Sequence, residues 1–347
     1  MNQFEKRRHV KRHMLLALMV SVIIVVLAIG LGSVYIPPGD VTNILISKVL
    51  HIAPRADIEA VTQSILWKIR VPRALLAFVV GAALAVSGTI MQSVLKNPLA
   101  SSFTLGVSSG AALGASAVMV FGLYLPVIGV LTLPLVGFLC GLLTVFLAIG
   151  FASKLDENME NQTIILVGMV MSLFVNALLT IIVSMSDEHM PEVIYWQMGS
   201  FSLKDWSNVI ILLPIVIVGT IVTMRYAHEL DIMSFGEDHA RAMGIEIKHV
   251  KLFLIAMAAL LTGSAISFVG VIGFIDLISP HFARRIFGSS HKYLVPMSAL
   301  FGGSLMVISD LIARTIIAPS ELPVGAVTAL IGAPFFAFVF FSKRKKG

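Results

Sequence analysis

Only one of the 347 residues is cysteine. Cys140 lies in an apolar run, which excludes disulfides and cysteine-based metal sites and leaves it the role of an inert packing residue. The nine histidines are scattered, and no pair has metal-ligand spacing with carboxylate or cysteine support. A phosphate loop of the G-x-x-x-x-G-K-S/T form is absent, so ATP must be bound by a separate subunit if it is used. There is no Ser-His-Asp set and no convincing carboxylate pair, which argues against an enzyme. Charge is scarce as well. Asp, Glu, Lys and Arg make up 13% of the chain, against about 25% in a soluble globular protein.

Apolar residues fill the gap: 57% of the chain is hydrophobic and mean hydropathy is +0.95, which places it among polytopic membrane proteins. The net charge of +6 could suggest nucleic acid, but the basic residues sit at span ends rather than along one face, so no nucleic-acid partner is expected. The apolar run from Met14 to about Tyr35 is too long for a signal-peptide core and reads as a retained first span. Ten spanning runs are expected, near 14–35, 74–95, 103–122, 126–150, 163–185, 207–227, 252–269, 272–288, 293–313 and 323–341. The eighth is short and holds Pro280, so a broken or tilted helix is expected there.

With the N-terminus in the cytoplasm, 18 of the 25 basic residues fall on the inner side. Those outside are Lys48, Arg55, Lys68, Arg70, Arg73, Lys204 and Arg314. This asymmetry favours an N-in, C-in topology. A weak internal echo also exists: Gly81, Gly88, Pro98 and Gly106 recur with identical spacing as Gly263, Gly270, Pro280 and Gly288, as in transporters built from repeated halves.

Residues 231–251, DIMSFGEDHARAMGIEIKHVK, form the longest strongly polar stretch in the middle of the chain, and the topology puts them in the cytoplasm. Ser234 and Glu237 have capping-box spacing. Glu237 and Asp238 suit a first turn, Glu237 and Arg241 can pair four apart, and Gly244 suits a left-handed stop. Gly236, Ala240 and Met243 are expected on one narrow face that another surface can approach. A solvated connector helix is the bland alternative.

This segment resembles the L-G-x-x-x-A-x-x-L-G coupling segment of the FecCD-type permeases of ATP-binding-cassette (ABC) importers for iron-siderophore, haem and cobalamin. It reads here Phe235-Gly236-Glu237-Asp238-His239-Ala240-Arg241-Ala242-Met243-Gly244, with Phe235 and Met243 in place of leucines. The likeness covers nearly the whole chain. IRVPRALLAFVVGAALAVSGTIMQSVLKNPLASSFTLGVSSGAALGA (69–115), WQMGSFS (196–202), GVIGFIDLISPHFARRIFG (270–288) and ELPVGAVTALIGAPFFAF (321–338) follow in family order.

The resemblance implies an all-α permease of about ten helices, a single transmembrane domain over 1–347 with its cytoplasmic coupling segment at 231–250. It implies a bacterial cytoplasmic-membrane location and no cofactor on this chain, ATP-Mg being held by partner ATPase subunits. Further partners are an extracytoplasmic binding protein and a second permease copy or related permease. The expected cargo is a ferric siderophore, with haem or cobalamin next. An ion-coupled secondary transporter is the competing class, but it would need intramembrane acids arranged as relays, and Asp276 is the acid that qualifies.

Individual residues inherit expected roles. Arg70, Arg73 and Arg314 lie at outer span ends, against the charge rule. They either anchor to lipid by snorkelling or, as the resemblance implies, pair with carboxylates of the binding protein. Asn97, Pro98 and Leu99 of KNPLA, at the inner end of the second span, are gate candidates by resemblance and otherwise an ordinary loop. Asp276 stands where the family usually has glycine. It could pair with an arginine, face the pathway, or be a tolerated variant near a helix end. His281 after Pro280 matches a family Pro-His pair whose role looks structural.

Overall fold

The computed structural model describes residues 3–32, 35–53, 55 and 58–344. Fifteen α-helices are present among them: α1 (Gln3–Gly30), α2 (Pro38–Leu50), α3 (Ala60–Ser64), α4 (Val71–Val94), α5 (Val107–Val120), α6 (Thr132–Leu155), α7 (Asn161–Ser184), α8 (Met190–Gln197), α9 (Trp206–Arg225), α10 (Ala227–Phe235), α11 (Glu237–Ala242), α12 (Ile247–Val269), α13 (Ile275–Phe287), α14 (His291–Thr315) and α15 (Val324–Arg344). No strand occurs among the described residues. Seven helical stretches are long and apolar enough to cross a membrane: Arg12–Gly30, Ala60–Val94, Gly129–Leu155, Asn161–Ser184, Trp206–Arg225, Ile247–Val269 and His291–Thr315. Val107–Val120 and Val324–Ala337 are shorter apolar helices, and α13 is the tenth crossing by connectivity.

The ten expected runs correspond in order to α1, α4, α5, α6, α7, α9, α12, α13, α14 and α15. Four details differ. The first span ends at Gly30 rather than near residue 35. The second is preceded by α3 and a π-helical turn, Ile65–Arg70. That wide turn falls just ahead of Pro72, whose ring crowds the carbonyl four residues back and whose missing N–H cannot continue the ladder. The outer helices α2 and α8 carry too little apolar length to read as spans. The internal echo is matched at only two of its four positions: Gly81 and Gly263 are both mid-helix and Gly106 and Gly288 both cap helices at positive φ, but Gly88 is mid-helix while Gly270 caps α12 at φ +82°, and Pro98 is in a turn while Pro280 is inside α13.

α4 is the axle of the bundle, buried along nearly its whole length. It can be so because small residues let neighbours approach closely, which is what drives helix association where lipid is as apolar as the core. Gly81 meets Gly302 and Met306 of α14, and Gly88 lies against the backbone of Asp276. Between α4 and α12 a hydroxyl chain replaces side-chain bulk. Ser87 donates to the carbonyl of Ala258 at 2.9 Å and shares hydrogen bonds with Ser102 (2.6 Å) and Thr262 (2.7 Å). α5 and α6 cross through Gly110, Gly114 and Gly141, with Cys140 against Gly114. Exposed Leu, Val, Ile, Met and Phe residues on α1, α6, α7 and α9 present the apolar face that lipid solvates.

α13 has 13 residues, about 20 Å at 1.5 Å per residue, too short for a hydrocarbon core of about 30 Å. Residues 270–274 ahead of it are unwound, with Phe274 at φ +71°. Non-helical backbone at membrane depth survives only when protein covers it. Here the 198–200 turn does so, together with the start of α15: Ser200 N donates to Val269 O, Val324 N to Gly199 O and Gly325 N to Met198 O. α13 is therefore short because its outer end is unwound, while Pro280 sits inside a continuous helix.

Candidate coupling, gating and outer sites

The cytoplasmic segment folds as two short helices, not one capped helix. Ser234 belongs to the last turn of α10, where its hydroxyl donates to Asp231 O at 2.6 Å. The break falls at Gly236, at φ +145° and ψ 148°, a conformation that favours glycine. No side chain caps α11, so the expected capping box does not form. Nor does Glu237 pair with Arg241. It accepts from Lys251 Nζ at 3.0 Å. The stop is as expected: Gly244 has φ +84°, and the Ile245 N to Ala240 O and Gly244 N to Arg241 O bonds form a Schellman motif.

The small-residue face also turns out differently. Ala240 is fully buried with Met233 and Ile247 of its own chain, so the surface that approaches closely is intramolecular. The outer face carries Phe235 (81% exposed) and Met243 (65% exposed), with Asp238, Arg241 and Gly244 also exposed. Two large apolar side chains held in water on either side of α11 are a ready contact for another protein.

At the inner end of α4, Lys96 takes φ +50° and the chain turns sharply. Asn97 Oδ1 accepts from Leu99 N at 2.9 Å and Asn97 O from Ala100 N at 3.0 Å. This local bonding leaves Pro98 and Leu99 exposed at the tip, Leu99 by 56%. Beside the tip lies a cleft of about 360 Å³ lined by Gln92, Ser93, Lys96, Arg284 and His291, among others. Its wall is a hydrogen-bonded set that the sequence reading missed. Asp231 of α10 accepts from His291 Nδ1 at 2.6 Å and from His291 N at 2.8 Å. That leaves His291 Nε2 to accept from Ser93, 2.6 Å away. Arg284 donates to Gln92 Oε1 at 2.6 Å. The inner end of α4 thus meets α10, α13 and α14 at one point.

The outer arginines are buried, not displayed. Arg70, Arg73 and Arg314 are 5%, 8% and 7% exposed. Arg70 donates to Gly30 O at 2.8 Å. Arg73 forks onto Asp310 (3.0 and 2.8 Å) and onto Glu321 (2.7 and 3.0 Å). Arg314 lies 3.3 Å from Asp310 and donates to Ala28 O. Asp310 and Glu321 supply these guanidinium groups with carboxylates from within the chain. Asp310 was legible, since it precedes Arg314 by four residues in an apolar helix. Glu321 arrives from the following loop, where Ser202 also donates to it. Burial pushes the Glu321 carboxyl up, but the Arg73 and Ser202 hydrogen bonds and the two guanidinium charges outweigh it and hold it below the ordinary range.

Asp276 pairs with no arginine. It is 2% exposed in the first turn of α13 and accepts from Ser101 Oγ, while its carbonyl receives Gln92 Nε2 at 3.2 Å. Of the alternatives for this residue, a carboxylate seated at a helix N-terminus fits. Asp310 is a second intramembrane acid, neutralised by two arginines.

Comparison with known proteins extends these observations. The model of the FecCD transport family matches residues 18–342. The cobalamin import system permease of Halobacterium salinarum is 37% identical over 80% of this chain and 73% of its own length. The Fe(3+)-citrate import system permease YfmE of Bacillus subtilis is 33% identical over 98% of both chains. A metal-chelate type ABC transporter solved in an inward-facing conformation superposes with a TM-score of 0.82 at 27% identity, covering 96% of this chain and 99% of its own.

Proposed function

Since the chain belongs to the FecCD transport family, as a multi-pass permease subunit of an ABC importer for metal chelates, we propose that its cargo is a ferric siderophore. The relative for Fe(3+)-citrate, aligned over 98% of both chains, supports a ferric chelate. The cobalamin relative, at 37% identity, supports the second reading, and haem is the third. As in other ABC permeases, ATPase and binding-protein partners and a permease dimer complete the machine. ATP-Mg would act on the ATPase subunits, and this chain would supply no cofactor site.

The observation that carries the coupling role is the exposure of Phe235 and Met243 on either side of α11, whose inner face is seated through Ala240 on Met233 and Ile247. The ATPase would grip Phe235, Gly236, Glu237, Asp238, Arg241, Met243 and Gly244 from the cytoplasm, with buried Ala240 as the seat. ATP-driven closure would then bias the permease between inward-open and outward-open arrangements. Asn97, Pro98 and Leu99 would narrow the inner mouth, two copies facing each other across a dimer axis. Docking of the binding protein through Arg73 would require its carboxylate to displace Glu321, whose side chain is a third exposed.

Uptake of radiolabelled iron as a hydroxamate siderophore, of labelled cobalamin and of haem, compared in cells with and without the gene, tests the cargo. Loss of siderophore uptake alone is expected. Loss of cobalamin or haem uptake instead would replace the ferric reading. Uptake that persists without ATP and collapses with the ion gradients would favour a secondary transporter.

A further inference from the structure

Among the described residues Lys251 is the most deeply buried charge, with no exposed side-chain surface. An ammonium in such a place is costly unless each of its three donors is met. Each is: Nζ donates to Met159 O at 2.7 Å, Asn161 Oδ1 at 2.9 Å and Glu237 Oε1 at 3.0 Å. The three acceptors come from two separate places. Met159 and Asn161 belong to the tight turn between α6 and α7, where Met159 is itself fully buried at φ +54°. Glu237 opens α11. Lys251 is the fifth residue of α12, so one nitrogen joins the cytoplasmic ends of α6, α7, α11 and α12.

The turn is preorganised to offer these acceptors. Asp156 accepts from Asn158 N at 2.9 Å and Glu160 N at 2.7 Å, which fixes the 156–161 backbone. Backbone N–H groups, Glu160 first, hold the exposed Asp156 carboxyl below its usual range. Few direct contacts otherwise tie α11 to the bundle. Its apolar seat is small, Ala240 against Met233 and Ile247.

We propose that Lys251 is a positioning residue for transport: the strut that makes α11 and the α6–α7 turn move as one body when the coupling segment is pushed. The proposal rests on the reading of 231–250 as the input from an ATPase. A buried ion pair suits this use because breaking it is expensive while its geometry is directional. A push on Phe235 or Met243 would then reach α6 and α7 directly, not only α12 through the chain. The short, buried link leaves no slack in which α11 could pivot alone.

The test is a distance measurement between spin labels on exposed positions, Ala242→Cys and Glu157→Cys, in the full chain with Cys140→Ser. It is run on the chain alone and with whatever ATPase co-purifies, with and without Mg-ATP. In the parent the distance distribution should be narrow and unmoved by nucleotide. In Lys251→Met it should broaden in the free chain and shift on adding Mg-ATP to the complex. The share of ATP hydrolysis that responds to the permease should fall at least about fivefold, the lower bound for coupling between sites. A Lys251→Met distribution identical to the parent's overturns the proposal, as does a parent distance that changes with nucleotide. If Lys251→Met does not fold, Asn161→Ala removes one of the three acceptors and must broaden the distribution for the proposal to stand. Failure of any ATPase to co-purify would sink the coupling reading instead, and the free-chain comparison still decides the strut.

Discussion

Replacing Asp310 by Asn removes one charge and almost no volume from a site that is 1% exposed. The carboxylate holds Arg73 through contacts of 3.0, 2.8 and 3.2 Å and lies 3.3 Å from Arg314. Its loss leaves two buried guanidinium groups with Glu321 as their one remaining carboxylate, and Glu321 faces partly into water. Removing one partner of a buried pair costs about 3–5 kcal/mol, because the other charge stays desolvated. Glu321→Gln makes the useful contrast. Arg73 keeps Asp310, water reaches the site, and the loss should fall below about 1 kcal/mol, as for exposed pairs. Equilibrium unfolding in mixed detergent micelles, followed by tryptophan fluorescence, measures both. Equal losses for the two variants, or a loss under about 1 kcal/mol for Asp310→Asn, would refute the claim that Asp310 is the buried hub of the outer network.

The remaining predictions follow from the same geometry. Because the folded Glu321 carboxyl is held below its ordinary value, its contribution is complete above the unfolded value of about 4.3 and disappears as pH falls through the lower folded one. The stability gap between the parent and Glu321→Gln should therefore be flat near neutrality and close in acid. A gap that widens as pH falls would reverse the sign. Ala240→Leu should overpack the Met233–Ile247 seat at a cost of about 1–3 kcal/mol, seen as faster hydrogen exchange across residues 236–244, whereas Met243→Ser should leave that exchange unchanged.

Much of the fold was legible because a bilayer imposes length and composition at once. All ten apolar runs became helices, and the basic residues supply the orientation. What escaped was pairing between segments distant in sequence. Periodicity marks Ala240 as one side of a narrow face, but nothing local says whether that face meets a partner or its own chain; the burial of Met233 and Ile247 decides it. The outer arginines were found by position, yet their partners Asp310 and Glu321 lie more than two hundred residues away from Arg73. Ser234 and Glu237 have the right spacing for a capping box, but the helix boundary falls at Gly236, and Lys251 takes the carboxylate. Charge reversal at Arg73 or Arg314 would consequently disturb the fold before any docked protein felt it. Asp276 stands in the first turn of α13, so its environment is that of a helix N-terminus.

Driving of this permease through α11 is tested most directly by purifying the full chain, together with a Phe235→Ser/Met243→Ser variant, from membranes of the same strain. Each preparation is assayed for bound ATPase subunit and for ATP hydrolysis. The exposed apolar contact predicts that the parent retains an ATPase and hydrolyses ATP, while the variant, with an unchanged unfolding transition, loses both. A parent that never holds an ATPase, or a variant that holds it as tightly as the parent, would contradict it.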